Sequence, residues 1–276
     1  MPEPTALVAD DVTRSVGGFK LEGIRLDVRP GEHLGLLGPN GSGKTTLVGL
    51  LSGEARPDAG VVTIGGQDIH SIEPGRLATL RAVLGDSADA RLPFDVRTVV
   101  AMGRYPHRHD PSVSAEDDRR SVESALERAD ISHLADRIHA TLSTGERSRV
   151  AFARVLAQKT PILLLDEPAA SLDIGHTELV LREARLAAEA GATVVSVIHD
   201  LNAAAQHCTS LCLLDRGRVV ALGSPWEVLD EELLSKVYGT GLRVVPNPYL
   251  EVPLVLVKGF SAKRRPPADD SSAPGH

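Results

Sequence analysis

The sequence has no long uninterrupted apolar segment. Its longest apolar candidates, residues 162–165 and 194–198, are the length of strands, whereas a helix needs roughly 20 apolar residues to cross a bilayer. We therefore expect no membrane-spanning segment. Residues 1–4 are acidic and proline-rich and lack the positive and apolar regions of a secretory signal, which predicts a cytoplasmic protein that reaches a membrane only through a partner.

An excess of positive charge is also absent. The chain has 30 Lys and Arg against 37 Asp and Glu, a formal net charge of −7. This balance gives no long-range attraction to a polyanion, so we expect no nucleic-acid partner.

Cysteine is scarce, with Cys208 and Cys212 alone in the chain. Together with His207 they suggest a metal site, but zinc sites need three or four ligands. Cys208 lies near the end of a predicted helix, and Cys212 lies within the apolar strand predicted over residues 211–214. We interpret both thiols as small buried hydrophobic groups.

The 276 residues, 42% of them hydrophobic, suffice for a large α/β domain or for a core with a subdomain. Residues 5–37 alternate apolar and polar side chains, which predicts a small antiparallel sheet that leads into a buried strand over 33–37. A helix is predicted over 45–51, and a strand over 61–64. The proline-, serine- and aspartate-rich residues 261–276 read as a disordered tail.

Between about residues 85 and 158 the pattern changes from strands to helices. The predicted helices cover residues 98–102, 115–129 and 147–158. Strands return at 162–165, 193–198 and 211–214, separated by helical runs such as 177–190. This alternation is typical of a parallel α/β sheet, so a helical insert splits the core in sequence.

A glycine-rich loop follows the buried strand over 33–37 and precedes a helix. It comprises Gly38, Pro39, Asn40, Gly41, Ser42, Gly43, Lys44 and Thr45. Glycines allow backbone N–H groups and the helix N-terminus to approach phosphates closely. We expect Lys44 to neutralise β- and γ-phosphates and the Thr45 hydroxyl to ligate Mg²⁺.

The apolar run of residues 162–165 ends in two carboxylates, Asp166 and Glu167. An acid pair at the end of a buried parallel strand is costly without a cation, and the glycine-rich loop is expected at the same edge of the sheet. We interpret Asp166 as a Mg²⁺ partner and Glu167 as the base that polarises an attacking water. An ordinary acidic turn before Pro168 is the alternative.

The segment formed by Ser143, Thr144, Gly145 and Glu146 has two compatible interpretations. Ser143 followed three residues later by Glu146 is a capping box for the helix that follows. The exposed N-terminus of that helix is also an anion site, at which Ser143 can donate to a γ-phosphate. Because this phosphate would not be held by the same chain, two chains would be needed to complete one site.

His199 follows the strand predicted over 193–198, whose carboxyl end points at the phosphate site. We expect His199 to hydrogen-bond the γ-phosphate and to hold Glu167 and the attacking water in place; a purely structural histidine is the alternative. Ser171 and Asp173 fall where a second protomer would meet the site. Either residue could instead cap a helix.

These motifs stand in the order found in the ATP-binding subunits of ABC transporters, which the chain resembles over roughly residues 5–258. The resemblance implies an α/β fold: a P-loop NTPase (RecA-like) core with a small antiparallel β subdomain and an inserted helical subdomain. It also implies boundaries for these parts. The ATP-binding core covers residues 1–85 and, with a C-terminal extension, 159–260, the helical subdomain covers 86–158, and the tail covers 261–276.

The resemblance further implies hydrolysis of ATP with Mg²⁺ by a head-to-tail pair of subunits. Each ATP would lie between the glycine-rich loop of one chain and Ser143 and Gly145 of the other. The implied partners are a second ATP-binding subunit, forming a homodimer, and transmembrane permease subunits that dock on the helical insert at the cytoplasmic face of the membrane. A substrate-binding protein would act indirectly.

A finer resemblance is to importers of iron(III)-siderophores, haemin and cobalamin. It rests on residues 100–107, 199–204, 223–229 and 237–239, and on the strand-like segments 242–246 and 252–257. The implied function is the energy-coupling ATPase of an importer for an iron chelate or cobalamin. An exporter subunit, a non-transport ABC ATPase that acts on nucleic acid or ribosomes, and a weakened regulatory cassette are the alternatives.

Three positions depart from the family pattern. Asp86 stands where a glutamine usually contacts Mg²⁺ and the permease interface. Thr144 replaces the usual first glycine of the signature segment, where a β-branched side chain disfavours φ > 0 and crowds an approaching phosphate. Val16 replaces an aromatic residue that commonly stacks on adenine, so base selectivity is expected to be loose.

Asp86 is expected to slow hydrolysis or to alter its coupling. An aspartate still ligates Mg²⁺, but it lacks the amide donor of glutamine and adds a negative charge beside the phosphates. Asp86→Gln should therefore change both the ATPase rate and its Mg²⁺ dependence in a steady-state assay. If neither quantity changes, the interpretation is wrong.

Overall fold

The computed structural model describes residues 6–85, 91–108, 110–170 and 172–259. The strands in chain order are β1 (Leu7–Val16), β2 (Phe19–Val28), β3 (His33–Leu37), β4 (Ala59–Ile64), β5 (Gln67–Asp68), β6 (Arg81–Leu84), β7 (Ile162–Leu165), β8 (Thr193–Val197), β9 (Ser210–Asp215), β10 (Arg218–Gly223), β11 (Leu242–Pro246) and β12 (Pro253–Val257). The predicted tail, residues 261–276, lies outside the described residues.

The α-helices are α1 (Lys44–Leu51), α2 (Pro74–Leu80), α3 (Val96–Ala101), α4 (Ala115–Arg128), α5 (Thr144–Gln158), α6 (Ile174–Glu189), α7 (Leu201–His207), α8 (Pro225–Val228) and α9 (Glu231–Tyr238). Within the described ranges, no helix combines the length and the apolar character that crossing a bilayer requires.

The strands form three sheets in the part of the chain that the structure describes. An antiparallel sheet has the order β2-β1-β4-β5, and a two-stranded hairpin joins β11 to β12. The six-stranded sheet has the order β10-β9-β3-β8-β7-β6, and only its β9–β10 pair is antiparallel. The fold is therefore the expected α/β arrangement, with a small antiparallel sheet beside a mostly parallel one.

The central sheet is covered on both faces, as its apolar strands require. Along β7, Ile162 and Leu164 pack into the cluster shared with the antiparallel sheet and α1. Leu163 and Leu165 point to the opposite face, into the cluster formed by α3, α4 and α5. Each fully buried leucine contributes about 2 kcal/mol to this packing, which holds the sheet between its two layers.

Every strand and helix predicted from the sequence is present, with ends that shift by at most about three residues. The strands predicted over 33–37 and 162–165 agree residue for residue. The sequence patterns do not predict β6, because four residues at the edge of a sheet are too few to establish a period. The helix α9 is missed as well, because its eight residues make only about two turns.

The interpretation of the two thiols as buried groups is confirmed. Cys208 follows the last residue of α7, and Cys212 lies within β9; both side chains are buried. Burial raises the pKa of both thiols, that of Cys212 to about 12, so neither ionises near neutral pH.

His33, the first residue of β3, is fully buried, and both of its ring nitrogens are hydrogen-bonded. Nδ1 donates to the carbonyl of His207 over 3.1 Å, and Nε2 accepts from the Ser196 hydroxyl over 2.8 Å. Burial lowers the pKa of His33 from 6.5 to about 4. The neutral ring is therefore the form that the fold accommodates.

We predict that acid destabilises the fold through His33. Because its pKa is lower in the folded state, the unfolded chain binds more protons between pH 6.5 and 4, and stability falls as pH falls through that window. The free energy of unfolding should drop by about 2 kcal/mol from this group between pH 7 and 4.5, measured by urea denaturation. His33→Gln should flatten the pH dependence, whereas the same change at the exposed His133 should leave it intact; equal slopes in both variants would contradict the prediction.

Candidate functional site

The first six residues of the glycine-rich loop, 38–43, connect β3 to α1 and are shaped by glycines with positive φ. Gly38 has φ of 140°, and an added Cβ would lie 2.2 Å from the carbonyl oxygen of Leu214. At Gly43, with φ of 104°, a Cβ would meet the Phe19 ring at 2.7 Å. No other residue type fits these two positions without displacing backbone or a packed ring.

Lys44 begins α1 and is buried inside the curve of the loop. Its Nζ donates to the carbonyl of Gly38 over 2.8 Å and to that of Pro39 over 3.1 Å. Burial lowers the pKa of Lys44, while the carboxylates of Glu167 and Asp166 act in the opposite direction. The ammonium group thus lies between loop carbonyls and two nearby carboxylates.

A cleft of about 760 Å³ opens above this loop. Its lining brings together residues from the β1–β2 turn, the glycine-rich loop, α1, and the ends of β7 and β8: Val16, Phe19, Asn40, Gly41, Gly43, Lys44, Thr45, Thr46, Glu167 and His199. Gly41, with φ of 78°, has nothing within 4 Å of a built Cβ, so it leaves this side of the loop open. The expected convergence of the loop with Glu167 and His199 is therefore present in a single chain.

Glu167 and His199 form a direct pair in this cleft. His199 Nε2 lies 2.8 Å from Glu167 Oε1, and both side chains remain partly exposed, at 46% and 40%. Glu167 also has φ of 50°, the left-handed region that disfavours side chains with a Cβ and costs about 1–2 kcal/mol. The strain aims the carboxylate from the end of β7 into the cleft.

Asp166 lies one residue before Glu167 at the end of β7. Its backbone N–H donates to the carbonyl of Leu84 over 2.8 Å, which ties the end of β7 to the end of β6. Asp86, two residues beyond Leu84 in sequence, lies outside the described residues. The carboxylate of Asp166 contributes with Glu167 to the negative potential at Lys44.

Phe19 is a cleft residue that the sequence reasoning missed. Val16, which stands where an aromatic residue is common in the family, lines the cleft and is 51% exposed. Phe19, three residues later, supplies an aromatic ring to the same cleft. The aromatic at the start of β2, directly after Gly17 and Gly18, was the available signal. Val16 and Phe19 form the apolar part of the cleft lining.

The signature segment, residues 143–146, lies at the N-terminus of α5 and does not line this cleft. The capping box is confirmed: Ser143 Oγ accepts from the N–H of Glu146 over 3.3 Å, and Glu146 Oε2 accepts from the N–H of Ser143 over 2.7 Å. Thr144 and Gly145 form the first turn of the helix. Ser143 and Thr144 are exposed, and Gly145 and Glu146 are half-buried.

One part of the expectation for Thr144 is wrong. α5 begins at Thr144, which therefore has helical backbone and is not among the described residues with positive φ. Its Oγ1 accepts from Arg147, whose guanidinium also donates to the carbonyl of Leu142. Thr144 is thus free of the backbone strain that a positive φ would cause, because it already belongs to the helix.

The loop after β7 supplies a helix cap. Asp173 Oδ1 accepts from the N–H of His176 over 2.9 Å and lies 2.9 Å from His176 Nδ1. The capping alternative for Asp173 is therefore confirmed. Ser171 lies outside the described residues.

Comparisons with known proteins agree with these motifs. A sequence profile described as "ABC transporter" matches residues 21–170. The "Hemin import ATP-binding protein HmuV" of Rhodococcus jostii (strain RHA1) is 43% identical over 259 residues, which cover 92% of this chain and 88% of the relative.

Solved structures resemble this fold over most of its length. An inward-facing conformation of a metal-chelate type ABC transporter gives a TM-score of 0.76 at 25% identity, covering 92% of this chain and 97% of that chain. A dimeric structure of MJ0796, a bacterial ABC transporter cassette, gives 0.69 at 26% identity, covering 79% and 98%.

The matched profile covers more than half of the chain, and the relative extends the similarity to nearly all of it. The glycine-rich loop, the α5 segment, the acid pair and His199 are thus parts of a known cassette. The chain belongs to the ABC transporter family as one of its ATP-binding subunits.

Proposed function

We propose that the chain is the ATP-hydrolysing subunit of an importer for haem or a closely related iron chelate. The observation that carries the ATPase part is the cleft in which Lys44, Glu167 and His199 meet. The substrate class is supported by the similarity to a protein described as a hemin import subunit and by the metal-chelate type transporter among the structural neighbours.

We assign steps of the hydrolysis to the glycine-rich loop, Lys44, Glu167 and His199. The N–H groups of the glycine-rich loop and the N-terminus of α1 receive the phosphates, and Lys44 turns from the loop carbonyls towards them. Glu167 accepts a proton from the attacking water, while His199 holds Glu167 through Nε2 and orients it. Preorganised donors at this edge of the sheet stabilise the charge that develops on the γ-phosphate.

The residues at the cleft also fit Mg²⁺. Thr45 lines the cleft and offers a hydroxyl at the first turn of α1, and Asp166, whose carboxylate acts on Lys44, would hold the ion with it, a donor set of hard oxygens. Asp86 stays a further candidate ligand from the sequence alone. When bound, Mg²⁺ neutralises negative charge on the β- and γ-phosphates. The buried Ser42 hydroxyl, which has no hydrogen-bond partner among the described residues, is a further polar atom within the cradle.

Completion of the site requires a second subunit, which we take to be another copy of this chain. The N-terminus of α5 is exposed and separate from the chain's own cleft. Ser143 and Gly145 would therefore reach a γ-phosphate only across a dimer interface. The dimeric cassette among the structural neighbours supports this assembly.

We also propose roles for the subdomains of the chain and a place for the subunit at the membrane. Residues 1–85 and 159–260 act as the ATP-binding core, and residues 86–158 act as a helical subdomain that docks on membrane permease subunits. The subunit would then lie at the cytoplasmic face of the membrane, with a substrate-binding protein acting on the other side of the permease. ATP-driven closure of the dimer would move the permease.

Glu167→Gln should abolish turnover but retain nucleotide binding. The amide keeps the size of the side chain but cannot accept the proton of the attacking water, and loss of a general base costs about 10²–10⁴-fold in kcat. Phosphate release and binding of a fluorescent ATP analogue measure the two quantities. Glu189→Gln, on the exposed side of α6, is the matched control and should behave as the unaltered protein; turnover by Glu167→Gln above about a tenth of normal would exclude the assigned role.

The substrate is tested in the native host. Replacing the chromosomal copy with Glu167→Gln should prevent growth when haem is the only iron source and should leave growth on a ferrous salt unchanged, because only the energy for uptake is lost. Growth curves and cell-associated haem measure the effect. Normal growth on haem together with lost uptake of a ferric siderophore or of cobalamin would show that the substrate class is wrong while the ATPase assignment stands.

A further inference from the structure

α7 begins two residues after His199, and its second residue joins it to a distant part of the chain. Asp200 caps the helix, with Oδ1 accepting from the N–H groups of Asn202 and Ala203. The Asn202 side chain points elsewhere. Its Nδ2 donates to the carbonyl of Val255 over 3.1 Å, and its Oδ1 accepts from the N–H of Val255 over 2.7 Å.

This pair of bonds imitates the pairing of one peptide group with another. A primary amide offers one donor and one acceptor side by side, which match the N–H and C=O of a single residue in a strand. Val255 lies in β12, so Asn202 fixes the start of α7 to the β11–β12 hairpin. No other half-buried side chain in α7 is described as bonding to that hairpin.

The hairpin is in turn fastened to α9. Glu231, the first residue of α9, accepts from the N–H of Val244 over 3.2 Å and pairs with Lys258 Nζ over 2.7 Å. Ser235 Oγ accepts from the N–H of Leu242 over 3.0 Å. α9 and the hairpin, residues 231–257, thus form one unit, which we call the C-terminal brace.

The C-terminal brace is anchored next to the glycine-rich loop. Leu234 of α9 is fully buried in the same apolar cluster as Leu37, the last residue of β3, and Leu242 and Val255 belong to that cluster too. Tyr238 packs against the cluster; burial raises the pKa of its hydroxyl, while its interaction with the backbone of Gly38 acts in the opposite direction. The brace therefore touches the rigid strand from which the phosphate loop starts.

We propose that Asn202 is a positioning residue for ATP hydrolysis, holding His199 in register with the glycine-rich loop through the C-terminal brace. This inference rests on the proposed ATPase function. The route runs from Leu37 and Gly38 through α9 and the hairpin to Val255, and from there through Asn202 to the start of α7. It acts alongside the β3–β8 pairing, whose last backbone hydrogen bond runs from the N–H of Ile198, the residue before His199, to the carbonyl of Leu36 over 3.2 Å.

His199 needs such support because little else holds its side chain. The side chain of His199 is 46% exposed. It pairs with Glu167, whose own backbone is strained. α7 is only seven residues long, so its own hydrogen bonds restrain its first turn weakly. A displacement of about 1 Å at a proton-transfer residue is enough to lower turnover strongly.

The test uses the full chain with Asn202→Ala, Asn202→Asp and a matched control, Trp226→Phe. Aspartate keeps the size of asparagine but places an acceptor against the carbonyl of Val255, so it separates loss of the hydrogen bond from loss of packing. Trp226 Nε1 donates to the carbonyl of Glu251 over 3.2 Å, so its replacement also removes one side-chain bond to the hairpin, but far in sequence from His199.

Both Asn202 variants should lower kcat for ATP by about tenfold and change KM for ATP by less than about twofold, since His199 acts in the hydrolytic step and does not hold the adenine of ATP. Trp226→Phe should match the unaltered protein. Hydrogen exchange should accelerate at the N–H of Val255 and in residues 198–203 of both Asn202 variants.

Four results decide between the alternatives. Unchanged kcat in Asn202→Ala and Asn202→Asp overturns the positioning role, and so does a parallel loss of kcat, nucleotide affinity and melting temperature, which indicates a general structural role. If the unaltered protein hydrolyses no ATP, the proposed function fails instead. Normal hydrolysis by the unaltered protein, abolished by Glu167→Gln, keeps that function while Asn202 is judged on its own.

Discussion

The parallel pairing of β3, β7 and β8 is the constraint on which the rest of the site depends. Leu36 lies opposite Val197, and Leu165 lies opposite Ser196, so the three strands end at one edge of the sheet. A slip of one residue would turn the buried leucines of β7 towards the wrong layer, which makes the register energetically strict. The glycine-rich loop, the acid pair and His199 follow these strand ends and therefore meet.

The packed sheet also carries the cost of unfavourable local conformations at that edge. Glu167 has a left-handed backbone, Lys44 is a buried ammonium group, and Gly38 leaves no room for a side chain beside β9. The left-handed backbone of Glu167 costs on the order of 1–3 kcal/mol, and burial of the Lys44 ammonium adds a desolvation cost, whereas Gly38 adopts its backbone without strain. Clusters of leucine and valine on both faces of the sheet offset these costs, so the reactive groups are held in place before a nucleotide arrives.

The sequence predicts the convergence of the site because the positions of the strands and the chemistry of the residues that follow them are both local patterns. Buried runs mark β3 and β7, and the residues just after them carry the phosphate loop and the carboxylates. The partnership of Asn202 with Val255 could not be predicted, since it joins residues 53 positions apart through a side chain and a backbone. Phe19 and the helical backbone of Thr144 were missed because a hairpin turn and a helix start are settled by tertiary packing within a residue or two.

The start of α5 combines a structural cap with the donor that the proposed contact to a second chain would need. Ser143 Oγ accepts one hydrogen bond from the N–H of Glu146, and a hydroxyl keeps its own proton for donation. Arg147 holds Leu142 and Thr144 from inside the helix, so the N-terminus of α5 is already ordered in the single chain. If two subunits close on ATP as proposed, this end of α5 would move as an ordered unit and would not need to fold during closure.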